Sequence, residues 1–217
     1  SMPTQGTLFI VATPIGNLED ITLRALRVLK EVDLVAAEDT RRTLKLLSHF
    51  GIRRPLVSLR EHNEVRGSER LVRQMLEGAS IAYVSDAGTP GIADPGARLV
   101  AAARRAGVAI SPIPGPSAVS AAMSVSGHIG NEFVFMGFPP ASGQARSIWF
   151  DRLTSEDRAA VFFEAPHRFD RTMAEMSHVT ELVNRPIIVN RELTKINESS
   201  VLRPKISGEQ HQPRGEF

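Results

Sequence analysis

Through the first half of the chain, short runs of valine, isoleucine, leucine and alanine alternate with longer stretches whose apolar residues recur every three or four positions. Continuous apolar runs read as strands buried on both faces, whereas the three-and-four spacing reads as helices carrying one apolar stripe. The strand candidates are residues 8–12, 34–38, 55–59, 80–85 and 108–113. Between them, Ile21, Ala25, Val28 and Val32 share one helical face, as do Leu71, Val72, Met75 and Leu76. Further helices are expected at 41–50 and 97–106, and Gly51, Gly78 and Gly107 stand where helices end in a left-handed cap. Strand followed by helix, five times over, predicts a parallel sheet.

A second set of strands is expected at 133–138, 159–164 and 186–191, with helices at 145–153 and 167–179 between them. A small-residue helix runs from Ser117 towards Gly127, and the change of domain is placed between 116 and 131. The organisation is therefore α/β throughout, with an N-terminal domain at 7–116 and a C-terminal one at 131–198. From Ser199 the periodicity ends, and 199–217 reads as an irregular tail.

With 217 residues the chain has room for one large or two compact domains. Its 42% hydrophobic and 23% charged residues are ordinary for a soluble enzyme, and no apolar run approaches the roughly 18 residues of a membrane helix. The cytoplasm is the expected compartment. The absence of cysteine excludes disulfides, thiolate metal sites and thiol nucleophiles, and the six histidines have no metal-binding spacing, so no metal is expected.

Charge changes the picture locally. The formal net charge is only +2, yet residues 41–73 hold nine basic side chains against three acidic ones, an excess of six. Such a stretch suits a surface that meets phosphates, and a solvated helical face accounts for it as well. Arg41, Arg42, Lys45, Arg60 and His62 are the candidate RNA contacts, and Arg41 with Arg42 opens a helix where the backbone dipole disfavours cations.

The candidate chemistry lies in three strand exits. The first strand leaves through Ala12-Thr13-Pro14-Ile15-Gly16-Asn17-Leu18, the fourth through Ser85-Asp86-Ala87-Gly88-Thr89-Pro90-Gly91, and the fifth through Pro114-Gly115-Pro116-Ser117-Ala118. None has the three spaced glycines of a dinucleotide site or the lysine of a phosphate loop, which argues against an NAD enzyme and an NTPase. Stiff turns with few free amides suit an uncharged or zwitterionic ligand. All three exits belong at the carboxyl edge of a parallel sheet, where one crevice collects them. A tight turn, or helix capping by Ser117, is the structural alternative for each.

These segments, together with Ala37-Glu38-Asp39-Thr40-Arg41, Phe135-Met136-Gly137-Phe138-Pro139, Phe163-Glu164-Ala165-Pro166-His167-Arg168 and Arg191-Glu192-Leu193-Thr194-Lys195, resemble the successive signatures of the bacterial ribosomal RNA small subunit methyltransferase I family. That family sits in the tetrapyrrole methylase superfamily, and the resemblance spans residues 7 to 198 in order. It implies two α/β domains, with a parallel sheet in the first and a mixed sheet in the second, and S-adenosylmethionine in the cleft between them. It implies methyl transfer to the ribose 2′-hydroxyl of a cytidine in 16S rRNA of the small ribosomal subunit, by a homodimer. Carried over by position, cofactor contacts fall on Pro14, Ala87, Gly88, Thr89, Ile92, Ser117, Ala118, Glu164 and Leu193. Other superfamily members carry an aspartate where Thr89 aligns. The pattern also departs at Asn197, where relatives usually continue with a histidine.

A ribose hydroxyl is a poor nucleophile, so a carboxylate or neutral amine is expected as general base. Glu38, Asp39, Asp86 and Lys195 are the candidates, although Asp39 is also placed to cap the helix that follows it. Two other classes remain open: a methylase of tetrapyrroles, which calls for an apolar trough, and a non-enzymatic RNA-binding protein, for which the glycine turns have no use.

Overall fold

The computed structural model describes residues 4–92, 94–204 and 206, and the chain divides into two compact units, Ser1–Ser117 and Ala118–Phe217. In the first, β1 (Thr7–Val11), β2 (Leu34–Ala37), β3 (Leu56–Ser58), β4 (Ile81–Val84) and β5 (Ala109–Ile113) form a single sheet in the order β3-β2-β4-β1-β5. Every pairing in it is parallel. The central strand β4 is buried at all four positions, as its unbroken Ile-Ala-Tyr-Val run anticipates.

Alternate strand residues feed two separate cores. Val35, Ala37, Ala82 and Val84 join Ala25, Val28 and Leu29 of α1 (Leu23–Glu31) and Leu47 of α2 (Thr40–His49) on one face. Ala36, Ile81 and Tyr83 join Leu71, Val72 and Met75 of α3 (Glu64–Leu76) and Leu99 and Ala103 of α4 (Gly96–Arg105) on the other. The period of two along a strand thus sends neighbours to opposite helical layers, and the sheet is wound on both sides. Thr22 starts α1 by accepting the Ala25 N–H at 2.9 Å, and Asp39 starts α2 by accepting the Arg41 N–H at 3.0 Å. Gly51, Gly78 and Gly107, with φ of +67°, +113° and +75°, end α2, α3 and α4.

In the second unit, β6 (Phe133–Phe135) and β7 (Ala159–Val161) pair in parallel, and β8 (Ile187–Arg191) pairs antiparallel with β9 (Ser199–Arg203). Its helices are α5 (Ala118–Ser124), α6 (Gly143–Ser155), α7 (Pro166–Ser177) and α8 (Thr180–Val183). Trp149, Leu153, Phe169, Met173, Met176, Leu182 and Val189 make its core, and the Trp149 indole N–H donates to the Met136 carbonyl at 2.9 Å. Two differences from the sequence reading stand out. The strand expected at 133–138 stops at Phe135, because Gly137 turns the chain at φ +64° ahead of two prolines. The expected irregularity from Ser199 is corrected by β9, whose ladder with β8 is built from backbone groups that leave no side-chain signature. The remainder of that tail, 207–217, lies outside the described residues.

Candidate functional site

β4, β1 and β5 are neighbours in the sheet, so the three glycine- and proline-bearing exits leave from adjacent carboxyl ends. They are tied to one another in pairs. Thr13 and Gly88 exchange both backbone hydrogen bonds, at 3.1 and 3.0 Å, and the Thr89 hydroxyl donates to the Pro116 carbonyl at 2.9 Å. Gly88 has φ +81°, and a Cβ there would lie 3.1 Å from Ile15 Cγ2, 3.5 Å from Pro116 O and 3.9 Å from Ser117 Cα. All three turns therefore meet at this one residue, where glycine is favoured by its left-handed backbone angle and by tight surroundings. Gly115 lies over Ala12 in the same way, since a Cβ on it would be 3.0 Å from Ala12 Cβ. Pro14, Ala87, Gly88, Thr89 and Ser117 are thus brought together. Ile92 is 52% exposed on the same turn, and Ala118 begins α5.

The Thr13 hydroxyl oxygen is buried in this cluster with no hydrogen-bond partner among the described residues. The sequence reading passed over Thr13. Its one signal was its place before Pro14 at a strand exit. Thr89 was singled out, and the structure gives its hydroxyl a specific task in joining the second turn to the third.

Next to these turns, at the ends of β2 and β4, stand three of the four candidate bases. The Asp39 N–H donates to Asp86 Oδ1 at 3.0 Å, and the Asp86 N–H reaches Glu38 Oε1 at 3.4 Å. Burial pushes the Glu38 carboxyl above its ordinary range, and the charges of Asp86 and Asp94 push the same way, outweighing the Asp86 N–H and Arg42, which pull it down. Asp39 behaves oppositely: the Arg41 N–H it accepts while capping α2 holds its carboxyl below the usual range. Lys195 belongs to the second unit, where its ammonium pairs with Glu192 at 3.0 Å. Around it the chain between β8 and β9 holds Glu192 and Thr194 at φ +52° and +73°, with Leu193 between them. The Thr194 N–H is secured by Glu198 Oε1 at 2.8 Å.

Glu164, expected to face the cofactor, has both carboxylate oxygens occupied within its own unit. Oε2 accepts from the Thr172 hydroxyl at 2.7 Å, and Oε1 accepts from the Ala165 N–H at 2.8 Å and lies 3.3 Å from Arg168 Nε. Arg146, equally buried, donates to Thr172 at 3.1 Å and pairs with Glu175 at 2.9 Å. This network joins α6 to α7. Motif reading found Glu164, and its commitments needed the fold to be seen.

The basic stretch is exposed, and part of it borders the carboxylates. Arg41 and Arg42 occupy the first turn of α2 after β2, while Arg60 and His62 follow β3, so all four lie at the carboxyl edge of the sheet. Arg60 Nε donates to the Glu38 carbonyl at 3.2 Å. Lys45 is exposed one turn further along α2. Arg54 is used differently, its guanidinium donating to the carbonyls of Arg53 and Lys30. Among the described residues no group of three or more His, Asp or Glu side chains is arranged to hold a metal ion, and no helix is long and apolar enough to cross a membrane.

The family described as Tetrapyrrole (Corrin/Porphyrin) Methylases matches residues 7–207. The ribosomal RNA small subunit methyltransferase I of Xylella fastidiosa is 47% identical over 222 residues, covering all of this chain and 81% of that protein. The protein of the same name from Neisseria meningitidis serogroup B is 45% identical over 98% of this chain and 74% of its own length. Among solved structures, a diphthine synthase superposes with a TM-score of 0.71 over 92% of this chain and 82% of its own, at 17% identity. A uroporphyrin-III-C-methyltransferase from Thermus thermophilus gives 0.61 over 94% and 84%, at 20% identity. Those two likenesses show the fold, and the much higher identities narrow it: the chain belongs to the tetrapyrrole methylase family, in its ribosomal RNA small subunit methyltransferase I branch.

Proposed function

We propose that this chain is an S-adenosylmethionine-dependent methyltransferase of 16S rRNA in the small ribosomal subunit, and that its acceptor is the ribose 2′-hydroxyl of a cytidine. The observation that carries the reading is the knot of three turns at Gly88, bordered by the half-buried Glu38 carboxylate and then by a basic surface along one sheet edge. The names of the 47% and 45% identical relatives support the rRNA substrate. Homodimeric assembly and a cytoplasmic location belong to the same proposal.

The residues present fit the cofactor. A Cβ would fill the space at Gly88, the Thr13 hydroxyl is buried without a hydrogen-bond partner among the described residues, and no lysine follows the glycines to demand a polyphosphate. Pro14, Ala87, Gly88, Thr89, Ile92 and Ser117 would hold it from the three turns of the first unit. Once bound, S-adenosylmethionine supplies a methyl group on a sulfonium, an electrophile that needs no activation by metal. What is left to the protein is alignment of the acceptor and removal of its proton.

Glu38 is assigned the proton. Its carboxylate takes the 2′-hydroxyl proton as the ribose oxygen becomes the nucleophile, and its raised affinity for protons brings it nearer to working pH than an ordinary carboxylate. Asp86 keeps that affinity high. Asp39 is committed to α2 and held acidic, and Lys195 is engaged by Glu192. Arg41, Arg42, Lys45, Arg60 and His62 position the RNA backbone. Against the alternative substrate, a tetrapyrrole, the reading is supported by the names of the two relatives.

The deciding experiment supplies methyl-labelled S-adenosylmethionine with undermethylated small subunits, free 16S rRNA or a uroporphyrinoid. Label is expected in RNA at one cytidine, which then resists alkaline cleavage. Label only in the uroporphyrinoid, or none with intact cofactor binding, rejects the assignment.

A further inference from the structure

Asp94 lies at the hub of the hydrogen bonds around the glycine turn, although no motif singled it out. Its Oδ2 accepts the Gly91 N–H at 2.8 Å, while Oδ1 accepts the Gly96 N–H at 2.9 Å and the Tyr83 hydroxyl at 3.2 Å. Tyr83 is fully buried in the central strand, and burial, followed by the nearby carboxylates, pushes its phenol above its ordinary value, so it remains a hydrogen-bond donor. Gly96, the first residue of α4, leaves room for the pair: a Cβ there would collide with the Tyr83 ring and lie 2.7 Å from Asp94 Oδ1.

These three donors need acceptors on both oxygens of one side chain. A carboxylate provides them. An asparagine would turn its NH2 group towards a backbone N–H or the phenol and leave a donor unmatched. The bonds run from the glycine turn at Gly91, through Asp94, to the buried strand β4 and the start of α4, so the exposed turn is tied to the fully buried centre of the sheet. Ile92 is exposed and Gly91 has φ +85°, with open space around the position a Cβ would take.

We propose that Asp94 is a positioning residue for methyl transfer, fixing the Gly88–Ile92 backbone against Tyr83 in the shape that receives the cofactor. The inference rests on the reading of that turn as the S-adenosylmethionine site. It has an electrostatic side as well. Glu38 is faced by Asp86 from the end of β4, by Asp94, by Tyr83 within β4 and by Arg42 of α2, while Arg60 bonds its carbonyl. The charge of Asp94 is one of those raising the Glu38 carboxyl.

The test uses the full chain with Asp94→Asn and Tyr83→Phe. Calorimetry should show S-adenosylmethionine affinity falling about tenfold or more in Asp94→Asn and by a smaller factor in Tyr83→Phe, which loses one of the three bonds. The KM for cofactor rises in both and the KM for RNA does not. In Asp94→Asn the acid limb of kcat moves to lower pH, since a negative neighbour of Glu38 is gone. In Tyr83→Phe, which keeps that charge, it stays in place. A purely structural side chain would move neither the limb nor the split between the two KM values. Parental affinity in both variants, or in Tyr83→Phe should Asp94→Asn not fold, overturns the role of Asp94 alone. A parental chain that binds no S-adenosylmethionine overturns the underlying reading and this inference with it.

Discussion

Thr13 and Gly88 bond to each other through both of their backbone N–H and C=O groups, closing a two-residue antiparallel bridge between the exits of two parallel strands. Parallel strands normally diverge into separate loops. Here the bridge turns two loops into one surface, and the bond from Thr89 to Pro116 adds the third. Gly88→Val places a branched side chain at φ +81° with its Cβ 3.1 Å from Ile15. Calorimetry should detect no S-adenosylmethionine binding, and folding should weaken by about 1–3 kcal/mol from backbone strain. Parental cofactor affinity would contradict the placement.

Glu38→Gln separates catalysis from stability. In the folded chain the Glu38 carboxyl holds its proton above the ordinary value of 4.5, so the folded state binds more protons than the unfolded one between that value and the raised one. Stability contributed by this group is present below about pH 4.5 and is lost as pH rises through the raised value. The glutamine, which still offers Oε1 to the Asp86 N–H, escapes that loss. Melting curves should show Glu38→Gln at least as stable as the parent at neutral pH, with the advantage gone in acid, while single-turnover methyl transfer falls by about 100-fold or more. Unchanged transfer rates would remove Glu38 from the chemistry.

Arg41→Ala removes an exposed cation from the helix start beside Asp39. RNA affinity should fall, and the slope of log affinity against log salt should flatten by about one unit, with cofactor binding unaffected. A loss of cofactor affinity, or an unaltered slope, would show that Arg41 does not meet a phosphate.

Thr172→Val keeps the shape of the side chain and deletes the hydroxyl that serves both Glu164 and Arg146. Two buried charged groups lose a partner at once, and denaturant unfolding should report a loss of about 2–3 kcal/mol. If the loss is negligible, Glu164 is free to serve a ligand, and its network is not what holds α6 to α7.

Much of this protein was already legible in its amino-acid order. The Ile-Ala-Tyr-Val run of β4, the stripe of Ala25 and Val28, and the caps at Gly51, Gly78 and Gly107 each reflect a local cause: burial on both faces, a 3.6-residue period, or a left-handed backbone position. Local causes are written locally, so element types and the glycine turns could be read without coordinates.

Partnership across the fold was decided only by the tertiary structure. Nothing in the order of residues says that β1 lies between β4 and β5, yet that adjacency is what brings Thr13, Gly88 and Pro116 together. Asp94, Tyr83 and Gly96 look unremarkable until the chain folds them onto one another, and the roles of Asp39 and Glu38 diverge only because one caps a helix while the other is half-buried beside Asp86. Strand β9 went unread for the same reason, since its ladder is made of backbone groups that every sequence possesses. Side-chain pattern encodes what a segment buries, whereas the choice of partner comes from the summed packing and charge of distant segments, which no single stretch of chain contains.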